Sequence, residues 1–83
     1  MLDIVIEKEN NRAVAYIDNK EVGLCEYIYE QDVINIVHTE VNNEHQGKGI
    51  ARKLVEAVIL EAEKQNKQIK ADCSYAAKVI NNK

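Results

Sequence analysis

Apolar residues recur at about every second position up to Val41, and at every third or fourth position from Ile50 onward. This change of period constrains the fold more than any other feature of the chain. A period of two buries one face of a strand, and a period of 3.6 buries one stripe of a helix. In LDIVIEKE (2–9), Leu2, Ile4 and Ile6 share a face. AVAYID (13–18), VGLCEYIYE (22–30) and VINIVHTEV (33–41) read as three further strands, rich in β-branched and aromatic residues. NNR, DNKE and QD separate them as turn signals, with Asp18 and Asn19 suited to a tight hairpin. Beyond the switch, Ile50, Ala51, Leu54, Val55, Val58 and Ala62 form a helical stripe. The spacing predicts a helix over 47–65, closed by Asn66 in a left-handed cap. QIKAD (68–72) is a short fifth strand. SYAAKVINN (74–82) is a terminal helix with Ser74 as N-cap and Lys78 near its C-terminal end.

The order is therefore β-β-β-β-α-β-α. Four strands form an antiparallel meander. The helix then carries the chain across to a fifth strand, which must lie parallel to the fourth. The fold class is α+β, with a mixed five-stranded sheet. The 83 residues fit one domain over 1–83, without repeats or linkers. One helix and a short tail can cover one face of such a sheet. The other face, carrying residues such as Tyr16, Tyr27 and Tyr29 or their alternates, meets water or a partner. A homodimer is one expectation from that imbalance.

Composition removes several classes of function. A net charge of −3 argues against nucleic acid, whose phosphates call for a basic face. No apolar stretch approaches the roughly 20 residues of a membrane span. The first ten residues lack the pattern of a secretory signal, so the chain reads as soluble and cytoplasmic. Cys25 and Cys73 are then not expected to form a disulfide. With two histidines they match no metal-ligand spacing, so no metal is expected.

One local exception stands out in EHQGKGIARKL (44–54). It holds two of the three glycines, and no acid occurs between His45 and Glu56. His45, Lys48, Arg52 and Lys53 make a basic spot on an acidic chain, which points to a small anionic ligand. A helix N-terminus offers unpaired N–H groups and partial positive charge, and glycines let a phosphate approach the backbone. The plainer alternative is that Gly47 and Gly49 only turn a strand-to-helix corner. Two known phosphate cradles fail. Lys48 precedes Gly49 and is not followed by Ser or Thr, so this is not a P-loop. Arg52 stands where the Rossmann fingerprint needs its third glycine.

VNNEHQGKGIARKL (41–54) resembles motif A of the GNAT-type N-acetyltransferases, with Gln46, Gly49 and Ala51 at the signature positions. HTEV (38–41) before it and CSY (73–75) after the fifth strand look like a compact stand-alone subfamily of that group. The resemblance implies a GNAT-like fold with the fourth and fifth strands splayed, and acetyl-coenzyme A as cosubstrate. It implies that the backbone of Gln46, Gly47, Lys48, Gly49, Ile50 and Ala51 holds the pyrophosphate, aided by Lys48 and Arg52. Thr39 and Val41 would offer backbone bonds to the pantetheine arm, and Tyr75 would stand nearby. The family's late tyrosine has no secure counterpart here, and Asn43 stands where many members carry proline. The implied activity is acetyl transfer to a small-molecule or protein amine.

Two mechanisms are open. Cys73, which the resemblance places near the acetyl group, can act as a nucleophile; a helix N-terminus favours its thiolate. Alternatively it is a small buried hydrophobe, as Cys25 is expected to be. In direct transfer the amine attacks the thioester and needs a base, for which His38 and Glu40 are candidates on one face of the fourth strand. A coenzyme A-binding module without turnover is the alternative to an enzyme. A protein that uses its open sheet face for interaction is a more distant one.

Overall fold

A computed structural model describes residues 1–82. One sheet holds β1 (Leu2–Glu7), β2 (Arg12–Ile17), β3 (Lys20–Glu30), β4 (Val33–Val41) and β5 (Gln68–Ala71), in that spatial order. The first four strands pair antiparallel, and β4 pairs parallel to β5. Helix α1 (Ile50–Lys64) makes the crossover, and α2 (Ser74–Asn81) follows β5. The period switch is thus realised as a mixed sheet. Among the described residues no helix is long and apolar enough to cross a membrane.

The turns follow local chemistry. Asp18 and Asn19 both take positive φ (51° and 69°), the pair a two-residue hairpin requires. Strand β1 ends at Glu7, short of the predicted Glu9, and a single 3-10 turn (Lys8–Asn10) follows. The Glu7 carboxylate accepts bonds from Arg12 Nε (2.9 Å), Tyr16 Oη (2.9 Å) and Asn10 Nδ2 (3.2 Å), which tie this turn together. The Arg12 bond, with those from Asn10 and Tyr16, holds the Glu7 carboxyl below the ordinary carboxylate range.

Helix α1 begins at Ile50, not at 47 as the spacing predicts. Gly47 and Gly49 sit at φ 81° and 80°, left-handed values outside the helix. Its far end matches expectation. Asn66 is left-handed (φ 57°), the Lys67 N–H donates to Ala62 O (2.9 Å), and the Asn66 N–H donates to Glu63 O (3.1 Å). That pair of bonds is a Schellman cap. For α2 the N-cap is Cys73, one residue before the predicted Ser74. The Cys73 N–H is bonded to Ile36 O (3.1 Å) and its carbonyl accepts from the Ala77 N–H (3.0 Å), so the last β5-side bond sets where the helix starts.

The α1 stripe of Leu54, Val55 and Val58 is fully buried against Ala13, Ala15, Cys25, Ile34 and Ile36, and α2 adds Ala76 and Val79 to the same cluster. Each of the buried Leu, Ile and Val side chains is worth about 1.5–3 kcal/mol of burial. The sequence offers Tyr16, Tyr27 and Tyr29 or their alternates for the open face, and Tyr16 is there. Tyr27 and Tyr29 are not: Tyr27 is buried in the core, and Tyr29 stacks edge-on against it (5.8 Å) and bonds Gln65 just past α1. The sheet alternation places both on Cys25's side, the helix side. The open face instead carries Val5, Val14, Leu24 and Ile28.

Two register shifts shape the end of the sheet nearest α1's N-terminus. Val22 is an extra residue in β3, between the pairs Tyr16↔Glu21 and Ala15↔Gly23. Val37 is an extra residue in β4, between Tyr27↔Ile36 and Glu26↔His38. Gly23 lies beside this region because nothing larger fits: a Cβ there would come within 2.9 Å of Glu40 O and 3.3 Å of Leu54 Cδ1.

Candidate functional site

The parallel β4–β5 pairing ends at Ile36↔Ala71. Residues 37–41 of β4 continue past that point without a β5 partner. There β5 ends and the chain turns into α2, so this edge of β4 borders a gap in the sheet, and the Val37 bulge falls where the gap begins. A bulge at that position bends the strand and re-aims its side chains. The base of the gap is fastened by Asn35, a fully buried amide within the apolar run Val33–Val37. Asn35 Nδ2 donates to Glu30 Oε2 and Asp72 Oδ2, both at 2.9 Å, and the Asp72 N–H donates to Asn35 Oδ1 at 3.0 Å. The N–H groups of Asp72 and Cys73 also converge on Ile36 O, at 3.0 and 3.1 Å. Sequence reasoning missed Asn35. The signal was a buried-strand position in VINIV occupied by an amide, which must find partners.

Beside the gap, a cavity of about 280 Å³ lies against the glycine loop. Its walls include Val41, Gln46, Gly47, Gly49 and Ile50, with His45, Ala51 and Tyr75 completing them. The first α1 bond runs from the Lys53 N–H to Gly49 O (3.2 Å), so the preceding amides of the first turn have no helical acceptor. No acid lies in that turn. A Cβ on Gly47 or Gly49 would meet nothing within 4 Å, so the space above the loop backbone is open. Open space, positive φ and free amides fit a bound oxyanion such as a pyrophosphate.

The predicted loop residues divide by role. Gln46 is exposed but folded back on the strand: its Nε2 donates to Val41 O and to Asn43 Oδ1, both at 3.1 Å, bracing the loop on the end of β4. Lys48 Nζ donates to His45 Nδ1 (3.3 Å), and Arg52 pairs with Glu56 at 3.3 Å on the helix surface. Such an exposed pair holds Arg52 only weakly.

The candidate catalytic residues approach the gap from opposite sides. Thr39 is paired with Cys25, and both face the helices. Thr39 Oγ1 lies 3.5 Å from Cys25 Sγ and 3.7 Å from Cys73 Sγ. Cys73 is partly exposed, whereas Cys25 is buried, and burial pushes the Cys25 thiol up to about 11. His38 and Glu40 share a face, as the strand period requires, but it is the open face of the sheet. There His38 Nε2 and Glu40 Oε1 are 2.7 Å apart. Among the described residues no group of three potential metal ligands occurs. A larger hollow, about 650 Å³, lies at the β1–β2 turn among Glu7, Lys8 and Arg12. Its Glu7 and Arg12 are bonded to each other, so it offers little free polar chemistry.

Sheet order, crossover helix and glycine loop together define a mixed α+β domain with an open glycine loop at a helix N-terminus, beside the edge of β4 that outruns β5. Residues 12–83 match the model of the family described as GCN5-related N-acetyl-transferase. The chain belongs to that family, whose members are acetyltransferases. It is 30% identical to a GCN5-like protein from Staphylococcus aureus, with a TM-score of 0.73, over 98% of this chain and 79% of that one. The ribosomal-protein-S18-alanine N-acetyltransferase of Escherichia coli gives a TM-score of 0.73 at 17% identity, over 86% of this chain and 49% of that one. The PaiA N-acetyltransferase of Thermoplasma acidophilum, solved with coenzyme A, gives 0.65 at 16% identity, over 68% and 35%. The last two share the fold, and the chain spans half of their length or less. No curated protein matches the chain at a significant level.

Proposed function

We propose that this chain is an acetyl-coenzyme A-dependent N-acetyltransferase that passes acetyl to an amine by way of Cys73. The observation that carries the proposal is the open glycine loop at the N-terminus of α1, set beside the gap between β4 and β5. Backbone amides of residues 46–51 take the pyrophosphate, with Lys48 and Arg52 adding charge. Residues 39–41 pair with β3 on one edge and have no β5 partner on the other; that free edge takes the pantetheine arm as an added strand would. Acetyl-coenzyme A supplies the activated thioester.

The chain's own residues do the rest. The Cys73 thiolate attacks the thioester carbonyl carbon; the new bond is Cys73 Sγ–carbon, and the carbon–sulfur bond to coenzyme A breaks. An unpaired β4 N–H, in the stretch freed by the bulge, bonds the carbonyl oxygen as it gains charge. An amine reaching the gap from the open face then attacks the acetyl-cysteine. It loses its proton to His38 or Glu40, and Cys73 leaves as a thiolate. A gap between two strands opens on both faces of the sheet, which reconciles Cys73 on one side with His38 and Glu40 on the other.

Mass spectrometry after mixing with acetyl-coenzyme A, without an amine, tests this. The expected product is acetyl on Cys73, absent in Cys73→Ala. Coenzyme A release that requires an amine and leaves Cys73 unmodified would show direct transfer instead. Tight binding with neither outcome would make the chain a carrier module.

A further inference from the structure

Thr39 holds a position that its backbone role does not explain. Its hydroxyl lies between two sulfurs, 3.5 Å from Cys25 and 3.7 Å from Cys73. Both distances meet at one oxygen, which brings Cys25 and Cys73 to within about 7 Å of each other. A disulfide is not what this geometry prepares. The two cysteines stand on either side of β4, and neighbouring strands are about 4.8 Å apart. Their Cα atoms are thus about two strand spacings apart, beyond the reach of a bridge. The arrangement is instead a three-membered chain of weak donors and acceptors ending at the proposed nucleophile.

We propose that Thr39 is a positioning residue for Cys73, its hydroxyl aiming the Cys73 sulfur and Cys25 serving as the buried third member of the chain. This rests on the reading of Cys73 as the acetyl carrier. In the resting state the Cys73 S–H donates to Thr39 Oγ1, and the Thr39 O–H donates to Cys25 Sγ. When Cys73 gives its proton to solvent, the chain reverses. The Thr39 O–H turns to the Cys73 thiolate, and Cys25 donates its own S–H to Thr39 Oγ1. Each of the two keeps its proton, and no charge enters the core. Cys25 stays a thiol throughout because it is fully buried.

Other charged groups near Cys73 point elsewhere. Asp72 is bonded to Asn35, and His38 and Glu40 lie on the opposite face of β4. Tyr75 and Lys78 of α2 are exposed. The remaining surroundings of Cys73 are the apolar core cluster.

The test is the rate of Cys73 alkylation by iodoacetamide against pH, in the full chain without coenzyme A, followed by peptide mass spectrometry. Burial keeps Cys25 out of the signal. Thr39→Val is expected to slow alkylation near neutral pH by about three- to tenfold, the net worth of one ordinary hydrogen bond. It should also move the midpoint of the rate profile upward. Thr39→Ser should restore both, and Cys25→Ala should give a smaller shift in the same direction. A Thr39→Val profile that overlays the wild type, or a Thr39→Ser profile that follows Thr39→Val, overturns the positioning role. A Cys25→Ala profile identical to wild type overturns the part given to Cys25. This readout needs no cosubstrate, so it fails separately from acetylation: an unacetylated Cys73 overturns the carrier role alone.

Discussion

The three glycines do two different things. Gly49 is the N-cap of α1 at φ 80°, where any L-residue is strained, and the space above it is open. Gly47 has the same hand and the same open space. Gly23 has ordinary dihedrals but no room. The sequence marked the first two, because a G-x-G at the start of a helical stripe is a local pattern. It did not mark Gly23, because the close approach of Glu40 O and Leu54 is made by residues far away in the chain. The bare backbone at Gly23 lets the end of β4 and Leu54 of α1 close over it. Gly23→Ala is therefore expected to cost about 1–3 kcal/mol by overpacking. For a domain of this size that lowers the thermal midpoint by several degrees. A melt unchanged from wild type would show that β4 gives way freely.

The elements were legible where the period was long and clean. Helix α1, the meander and the parallel fifth strand all follow from it. Two things were not. Strand alternation predicts which residues share a face, but it does not say which face the helix will cover, so the open face could be read only as these tyrosines or their alternates. The Val37 bulge, which opens the gap, has no residue-type signature; it arises from how β3 and β4 accommodate each other. Asn35 is the element-scale fastener, since it ties β4 to the end of β5 below the gap. Asn35→Leu keeps size and apolar surroundings but removes three hydrogen bonds. Glu30 and Asp72 can turn to water, so the expected loss is about 1–2 kcal/mol. The more specific sign is local: amide hydrogen exchange at Asp72 and Cys73 should quicken while β1 and β2 keep wild-type protection. Uniform loosening of the whole sheet would contradict the fastener role.

At the scale of the molecule, both helices feed one core, and the opposite sheet face is left open. That face is not featureless. Val14 is fully buried between its neighbours Val5 and Leu24, while Glu26, His38 and Glu40 stand together near the gap. The basic spot lies at the α1 end and the acids lie on the open face, so charge is divided between the proposed anion and amine sides. Net charge alone hid this division; the spacing of His45, Lys48 and Arg52 showed half of it. The family, the fold class and the place of the loop were all readable in the sequence. The folding back of Gln46 onto β4 and the shared hydroxyl of Thr39 depended on distances no sequence carries. The central claim is that the loop backbone binds coenzyme A, and isothermal titration with acetyl-coenzyme A tests it directly, comparing wild type with Gly49→Val. Binding by the wild type and its loss in a variant that still folds by circular dichroism is the expected result. Equal affinity in the two proteins, or no binding by the wild type, would contradict it.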